Sequence, residues 1–311
     1  MKVVVIGGTG HIGTYLIPRL VAQGHEVIVL SRGSRSPYQP HPAWNRVKLT
    51  TVDRTEAEER GEFADVVAAE DPEVVIDLMC FSQQSAKLLV DRLAGRLEHY
   101  LACGTIWVHG PSEVTPTVEE QPKNPFGDYG INKAHMEAYL LSVARRSGFP
   151  ATVIHPGHIV GPGWPPLNPE GHFEPKVWSD IQAGRPVRIP NLGLETVHHV
   201  HADDVAQLFM LALNNWSAAV GESFHAVSPQ ALTLRGFAQA AYGWFGQEPN
   251  MEFVPWEELK QSVSEQNARY IWDHIAHSPC CSIAKAQRNL SYVPRYTSLQ
   301  AVYESVKHLP A

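Results

Sequence analysis

Tyr129 and Lys133 stand four residues apart in the segment Tyr129-Gly130-Ile131-Asn132-Lys133. On a helix that spacing puts both side chains on one face. A nearby ammonium, together with the positive ring of an oxidised nicotinamide, favours the phenolate and lowers the phenol's pKa. A phenol tuned in this way can pass a proton to or from a substrate oxygen while a hydride moves at carbon. By itself the spacing is common in surface pairs, so its meaning depends on what precedes it. Near the N-terminus, Gly8-Thr9-Gly10-His11-Ile12-Gly13 fits the pattern G-x-G-x-x-G, between an apolar run and a helical pattern. Glycines there permit a tight turn and let a pyrophosphate approach the backbone. The helix N-terminus then offers free N–H groups to the phosphates. A dinucleotide site at Gly7 to Gly13 is expected, with the Tyr–Lys pair at its chemical end.

The end of the second strand bears on which dinucleotide is held. A carboxylate there accepts the ribose 2′-hydroxyl of NAD. This chain has Ser31 and Arg32 instead, with Ser34 and Arg35 close by. Hydroxyls and guanidinium groups suit a 2′-phosphate better. NADP is the favoured cofactor and NAD the alternative.

These residues need a scaffold that brings them to one edge. The first half alternates short apolar runs with helical patterns. Strands are expected over 3–6, 26–30, 47–52, 73–78, 99–103 and 151–155. Helices are expected over 12–23, 63–70, 82–93 and 129–146, with Gly24 as a stop and Pro18 as a bend in the first. Such alternation implies a parallel sheet covered on both faces, a Rossmann-type doubly wound α/β fold. After Gly161 the texture changes. Gly161-Pro162-Gly163-Trp164-Pro165-Pro166 and Asn168-Pro169-Glu170-Gly171 exclude regular structure. They mark a loop leaving the sheet to build a smaller C-terminal substrate-binding lobe. The dinucleotide-binding domain is placed at 1–163 and about 196–228, and the substrate lobe at about 164–195 and 229–311. A strand is expected near 196–200, and helices over 203–214 and 233–245.

Composition narrows the class. In 311 residues, 44% are apolar and 18% charged, which supports a sizeable core and argues against disorder. The net charge of −7 argues against a nucleic-acid partner, which would need a basic face. No signal-like h-region opens the chain and no run reaches about 18 apolar residues, so no membrane association is expected. Cys80, Cys103, Cys280 and Cys281 lack metal-type spacing, which fits a reduced, cytoplasmic protein with no metal site.

With these motifs in order, the chain resembles the extended short-chain dehydrogenase/reductases, in the NAD-dependent epimerase/dehydratase branch. The resemblance rests on Gly7 to Gly13, Asp53 after the third strand, and Thr105-Ile106-Trp107-Val108-His109-Gly110 after the fifth. It continues through Tyr129 and Lys133, His155-Pro156-Gly157-His158-Ile159-Val160-Gly161-Pro162-Gly163, and His199-Val200-His201-Ala202-Asp203-Asp204-Val205-Ala206. It implies that Thr105 hydrogen-bonds the reacting oxygen, that Tyr129 is the acid/base, and that Lys133 holds the nicotinamide ribose and assists Tyr129. Asp53 would face the adenine, with Arg54, Leu78, Met79 and Cys80 also along the cofactor. Pro156 and His158 would line its nicotinamide end. It further implies a homodimer built on the helices near 82–93 and 129–146.

The departures are as informative. The family's 4,6-dehydratases carry Asp-Glu directly after the hydroxyl residue, where this chain has Ile106 and Trp107. Neither transfers a proton, so dehydration is not expected. The Arg with which nucleotide-sugar epimerases hold a diphosphate is replaced by Val197, and the Arg before the Pro after strand six is His155. His198, His199 and His201 lie near Asp203 and Asp204. A helix entry, in which Asp203 or Asp204 caps exposed N–H groups, explains them better than a metal. Trp107, His158 and His172 are candidate substrate contacts, while Trp164 and Trp178 line a pocket or pack. The expected activity is nicotinamide-dependent oxidoreduction or epimerisation at a secondary alcohol or ketone of a polar, carbohydrate-like small molecule. An NADP-dependent ketone or aldehyde reductase of smaller metabolites is the alternative. From another class come a non-catalytic cofactor-binding regulator and a nucleic-acid-associated protein.

Overall fold

Val3 and Val5 point to one face of their strand and Val4 and Ile6 to the other, yet all four are buried. A strand apolar on both sides needs cover on both faces, and the chain supplies it. The computed structural model describes residues 1–309. Six strands, β1 (Lys2–Ile6), β2 (Glu26–Ser31), β3 (Lys48–Thr51), β4 (Val74–Asp77), β5 (His99–Cys103) and β6 (Ala151–Pro156), join an edge strand, Ser223–Ala226. They form one seven-stranded sheet in the order Ser223–Ala226, β6, β5, β4, β1, β2, β3. Every pairing is parallel; Val3, for example, pairs with Val27 on one side and Val74 on the other. The chain winds outward from β1 to β3 and then returns to β4 on β1's other side. That reversal leaves a crevice above the C-terminal ends of β1 and β4, where ligands of doubly wound sheets bind.

Helix α1 (His11–Ala22) covers one face and packs on the helix Ala202–Asn214. Its Leu16, Ile17 and Leu20 share a core with Val3, Val5 and Phe209. Pro18 lies inside α1 without ending it. After α2 (Arg54–Glu59), which follows Asp53 and was not anticipated, α3 (Phe63–Ala69), α4 (Gln83–Leu93) and α5 (Gly127–Ser147) cover the other face. Phe63, Leu89, Met136 and Leu140 join Val4 and Ile6 there. A third apolar cluster gathers Trp178, Ile189, Phe237, Tyr242 and Ile271 away from the sheet. Its helices Glu265–His277 and Ser298–Val306 gave no clear pattern in the sequence.

One expectation is corrected at the entry to the helix Ala202–Asn214. Neither Asp203 nor Asp204 caps it. His201 does, accepting the Asp203 N–H at 3.0 Å. Asp203 instead pairs with Arg19 and Arg295, and Asp204 accepts the Arg295 and Tyr296 N–H groups at 2.7 and 3.2 Å. The carboxylates tie distant segments together because both sit buried, where an unpartnered charge is costly.

Candidate active site

The β1–α1 turn is a cradle that side chains would fill. Gly7 has φ +80°, and a Cβ at Gly13 would stand 1.8 Å from the Gly8 carbonyl oxygen. Gly10, at the start of α1, offers no side-chain cap, so first-turn N–H groups remain free for an anion. A cleft of about 300 Å³ opens over this turn, lined by Gly7, Thr9, Gly10, Ser31, Arg32 and Asp53. An open backbone facing free N–H donors fits the pyrophosphate of a dinucleotide.

The flanks of the cleft divide the expected contacts. Arg32 is exposed at its rim. The Ser31 hydroxyl accepts the Gly33 N–H at 3.3 Å. Asp53 lines the cleft and caps α2 through the Thr55 and Glu56 N–H groups. Arg54 also reaches the cleft, but its guanidinium is engaged by the buried Asp77 at 2.8 Å and by Glu58 at 2.6 Å. It neutralises a buried carboxylate, which leaves little of its charge for a ligand. Met79 lies across the cleft, so close that a Cβ on Gly7 would be 2.3 Å from its Cγ. Leu78 is buried beside it. His11 and Ile12 begin α1. Ile12 is buried, whereas the His11 ring stacks on Trp164 at 3.5 Å and bonds the Tyr38 hydroxyl at 3.0 Å. Burial, then Arg35, pushes the His11 pKa down to about 4. Trp164 therefore packs, clamping the loop after β6 onto the glycine turn. Nothing in the sequence singled out Tyr38.

Phe81 lines the cleft, and beyond it, 6.4 Å from Tyr129 between ring centres and 4.5 Å from Lys133 Nζ, lies the group Thr105, Tyr129 and Lys133. Tyr129 lies in the first turn of α5 and Lys133 one turn later. Lys133 is 1% exposed, and its Nζ donates to the carbonyls of Cys80 and Cys103 at 2.7 and 2.6 Å. It thus stitches the ends of β4 and β5 together with two of its three donors. Thr105 follows β5. Its hydroxyl oxygen accepts the Trp107 N–H at 3.3 Å. The Tyr129 side chain is 44% exposed. The protein around its hydroxyl, then Cys103, pushes the phenol pKa up, and Thr105 opposes them. Lys133 Nζ lies 5.9 Å from the Tyr129 ring centroid.

Around Tyr129 the wall is aromatic. Trp107 meets the Tyr129 ring edge-on at 6.0 Å and stacks on His277 at 4.3 Å. His158 lies 6.0 Å from Trp107, 4.7 Å from His274 and 5.8 Å from His199, ring centre to ring centre. Neither His158 nor His199 has a hydrogen-bonded ring nitrogen, though the Leu167 backbone lies near His199. Pro156 is buried at the end of β6, two residues before His158. The sequence missed His274 and His277, which sit on a helix more than a hundred residues downstream, with no spacing to betray them. His172 does not offer a free group. Its Nδ1 faces Asn168 and the Glu174 N–H, and its Nε2 faces Glu170, all within its own loop. Trp178 is buried against Phe237 and Trp244. Among the described residues, no three His, Cys, Asp or Glu side chains are placed to hold a metal ion. Val197 is in the core, Arg185 pairs with Asp180 and Arg188 bonds Ser262. Among the described residues, no helix is long and apolar enough to cross a membrane.

A doubly wound sheet with an open glycine cradle at its switch point defines a dinucleotide-binding protein. More specifically, residues 3–226 match the NAD dependent epimerase/dehydratase family, and the chain belongs to that family. It is 26% identical to 2′-dehydrokanamycin reductase of Streptomyces kanamyceticus, over 88% of this chain and 76% of that protein. It is also 26% identical to the chloroplast stem-loop binding protein of 41 kDa b of Arabidopsis thaliana, over 98% of this chain and 78% of that one. In fold it is similar to UDP-glucose 4-epimerase of Thermotoga maritima, with a TM-score of 0.75 and 20% identity, over 99% and 98% of the two chains.

Proposed function

We propose that the protein is a nicotinamide-dependent oxidoreductase or epimerase acting on a secondary alcohol or ketone of a carbohydrate-like molecule. The observation that carries this reading is that Lys133, one turn after Tyr129 on α5, bonds the carbonyls of Cys80 and Cys103, which brings α5 to the strand end that Thr105 follows. A bound nicotinamide supplies hydride exchange at the substrate carbon. The chain's own residues handle the oxygen. Tyr129 gives or takes the proton, and Thr105 donates a hydrogen bond to the oxygen as charge develops there. Lys133 fixes the floor through Cys80 and Cys103 and keeps one N–H for a ribose hydroxyl. Ser31 and Arg32 favour NADP(H) over NAD(H).

Trp107, which meets the Tyr129 ring, is faced by the neutral imidazoles of His274 and His277 from the substrate lobe, 164–195 and 229–311. That disfavours a nucleotide diphosphate, in keeping with the dehydrokanamycin named for the Streptomyces relative. The stem-loop-binding relative raises nucleic acid as a second reading, which the net charge of −7 disfavours. Residues of α4 and α5, which pack together, would form a homodimer surface. The deciding experiment incubates the purified protein with NADPH and a panel of keto-sugars while following absorbance of the reduced cofactor. Consumption that is lost in Tyr129→Phe supports the reading. No turnover with any keto-sugar, alongside tight binding of a stem-loop RNA, would overturn it.

A further inference from the structure

Thr105 must point its hydroxyl with care, and something has to hold its backbone. The residue leaves β5 at Gly104, where the chain turns away from the sheet into the short helical turn Ile106–His109. There the Thr105 N–H donates to Nδ1 of His155, on the neighbouring strand β6, at 3.0 Å. His155 is 1% exposed. Its other nitrogen, Nε2, lies 3.0 Å from Oε1 of Glu137, which is equally buried on α5. The Nε2 contact is bent away from full hydrogen-bond alignment, but a carboxylate at that range still attracts an N–H dipole. Glu137 in turn receives Lys123 at 2.8 Å. Burial alone would raise the Glu137 pKa, but His155 and Lys123 hold it well below the usual carboxylate range. Lys123, before α5, Glu137 on it, His155 and Thr105 thus stand in a line that ends at the candidate active site.

The line fixes a tautomer. A backbone N–H can only donate, so Nδ1 must be the unprotonated nitrogen and the ring proton must sit on Nε2, facing the carboxylate. The geometry also explains Gly104. A Cβ there would stand 2.3 Å from His155 Nδ1, so any other residue would drive the ring off the Thr105 N–H. In the family pattern the place of His155 belongs to Arg, which has no acceptor to offer. The device belongs to this chain's own histidine.

We propose that His155, held by Glu137, is the positioning residue that aims Thr105 at the reacting oxygen. It touches neither substrate nor cofactor and acts through the backbone N–H of Thr105. The inference rests on the role of Thr105 given above. Misplacing a reacting group by about 1 Å can reduce turnover about a hundredfold. Two isosteric substitutions separate positioning from packing. His155→Asn puts an amide oxygen near the site of Nδ1 and should retain kcat within severalfold. His155→Gln carries its oxygen out to the site of Nε2, leaves the Thr105 N–H without a partner, and should lower kcat about tenfold to a hundredfold at nearly constant KM. Hydrogen exchange of the Thr105 amide gives a readout independent of activity: protection should survive in His155→Asn and fall in His155→Gln. Equal kcat and equal protection in the two variants would overturn the proposal, whether both were active or both impaired. If Thr105→Val leaves turnover intact, the catalytic reading of Thr105 fails instead, and amide protection still decides whether His155 holds Thr105.

Discussion

The two ends of the candidate site are made of different materials. At the phosphate end, the backbone provides the recognition: glycines at positions 7, 8, 10 and 13 and the uncapped start of α1 lie within one short segment. At the chemical end, side chains provide it. Thr105, Trp107, Tyr129, Lys133, His158, His274 and His277 come from strand ends, turns and helices spread across most of the chain. Backbone recognition is local, so it leaves a spacing in the sequence. Side-chain recognition is assembled by topology and leaves none. Substitutions should therefore split along the same line, changing cofactor affinity at one end and turnover at the other.

The largest expected effect is at Tyr129. Tyr129→Phe keeps the ring against Trp107 but removes the proton that neutralises the oxyanion. Turnover should fall by about two to four orders of magnitude. Cofactor affinity, measured by fluorescence titration, should stay within a few-fold, because the glycine cradle lies elsewhere. A parallel loss of affinity would erase the division between the two ends. Thr105→Val comes next. One positioned donor to a developing oxyanion is worth about 3 kcal/mol, or roughly a hundredfold in kcat. Thr105 is buried, so its melting temperature must be read alongside. A collapsed melting temperature with full activity in the folded fraction would make Thr105 a packing residue.

At the phosphate end, Arg32→Ala tests the cofactor. Arg32 projects from the rim with no ion pair among the described residues, unlike Arg54, which Asp77 and Glu58 engage. Losing a charge-assisted contact to the 2′-phosphate should cost about 1.5–3 kcal/mol, roughly tenfold to a hundredfold in NADP(H) affinity. NAD(H) affinity should be unaffected. Equal binding of the two cofactors by the unaltered protein would remove Arg32 from recognition and leave the rest of the cradle standing.

How much was legible follows from the same distinction. The strands and helices of the first half, the doubly wound order and the glycine turn could be read from period and punctuation. The Tyr–Lys pair could be read because its spacing is fixed within one helix. Lys133's actual partners, two carbonyls at the ends of β4 and β5, could not, because they depend on where the strand ends come to lie. The spacing brings the ammonium near Tyr129, but it does not show that two carbonyls engage that ammonium. His172 resembled a substrate group only until its loop closed on it. His274 and His277 became visible only when their helix was packed against Trp107.

The smallest effect separates the two ends by pH. At the chemical end His199 and His274 are buried and neutral: burial, then His198, pushes His199 down to about 3, and burial pushes His274 down to about 4. In the unfolded chain such groups titrate near pH 6.5. Between the two values the unfolded state binds protons that the folded state refuses. Stability is thus fully present above about pH 6.5 and lost as pH falls toward 4. Each group contributes about 1.4 kcal/mol per pH unit in that window. Asp204, raised to about 6 by burial, acts with the opposite sign: it costs stability as pH rises from about 4 to 6 and partly masks the histidines. His199→Phe isolates one contribution, since the ring faces Phe237 at 5.2 Å and its nitrogens have no bonded partner to lose. At pH 7.5 its unfolding free energy should match the parent protein within about 1 kcal/mol. From pH 6.5 to 5 its stability should fall less steeply, by about one proton's worth of slope. Denaturant titrations across that range provide the measurement. Identical slopes would mean that His199 takes up a proton inside the fold, and that the chemical end is wetter than its packing implies.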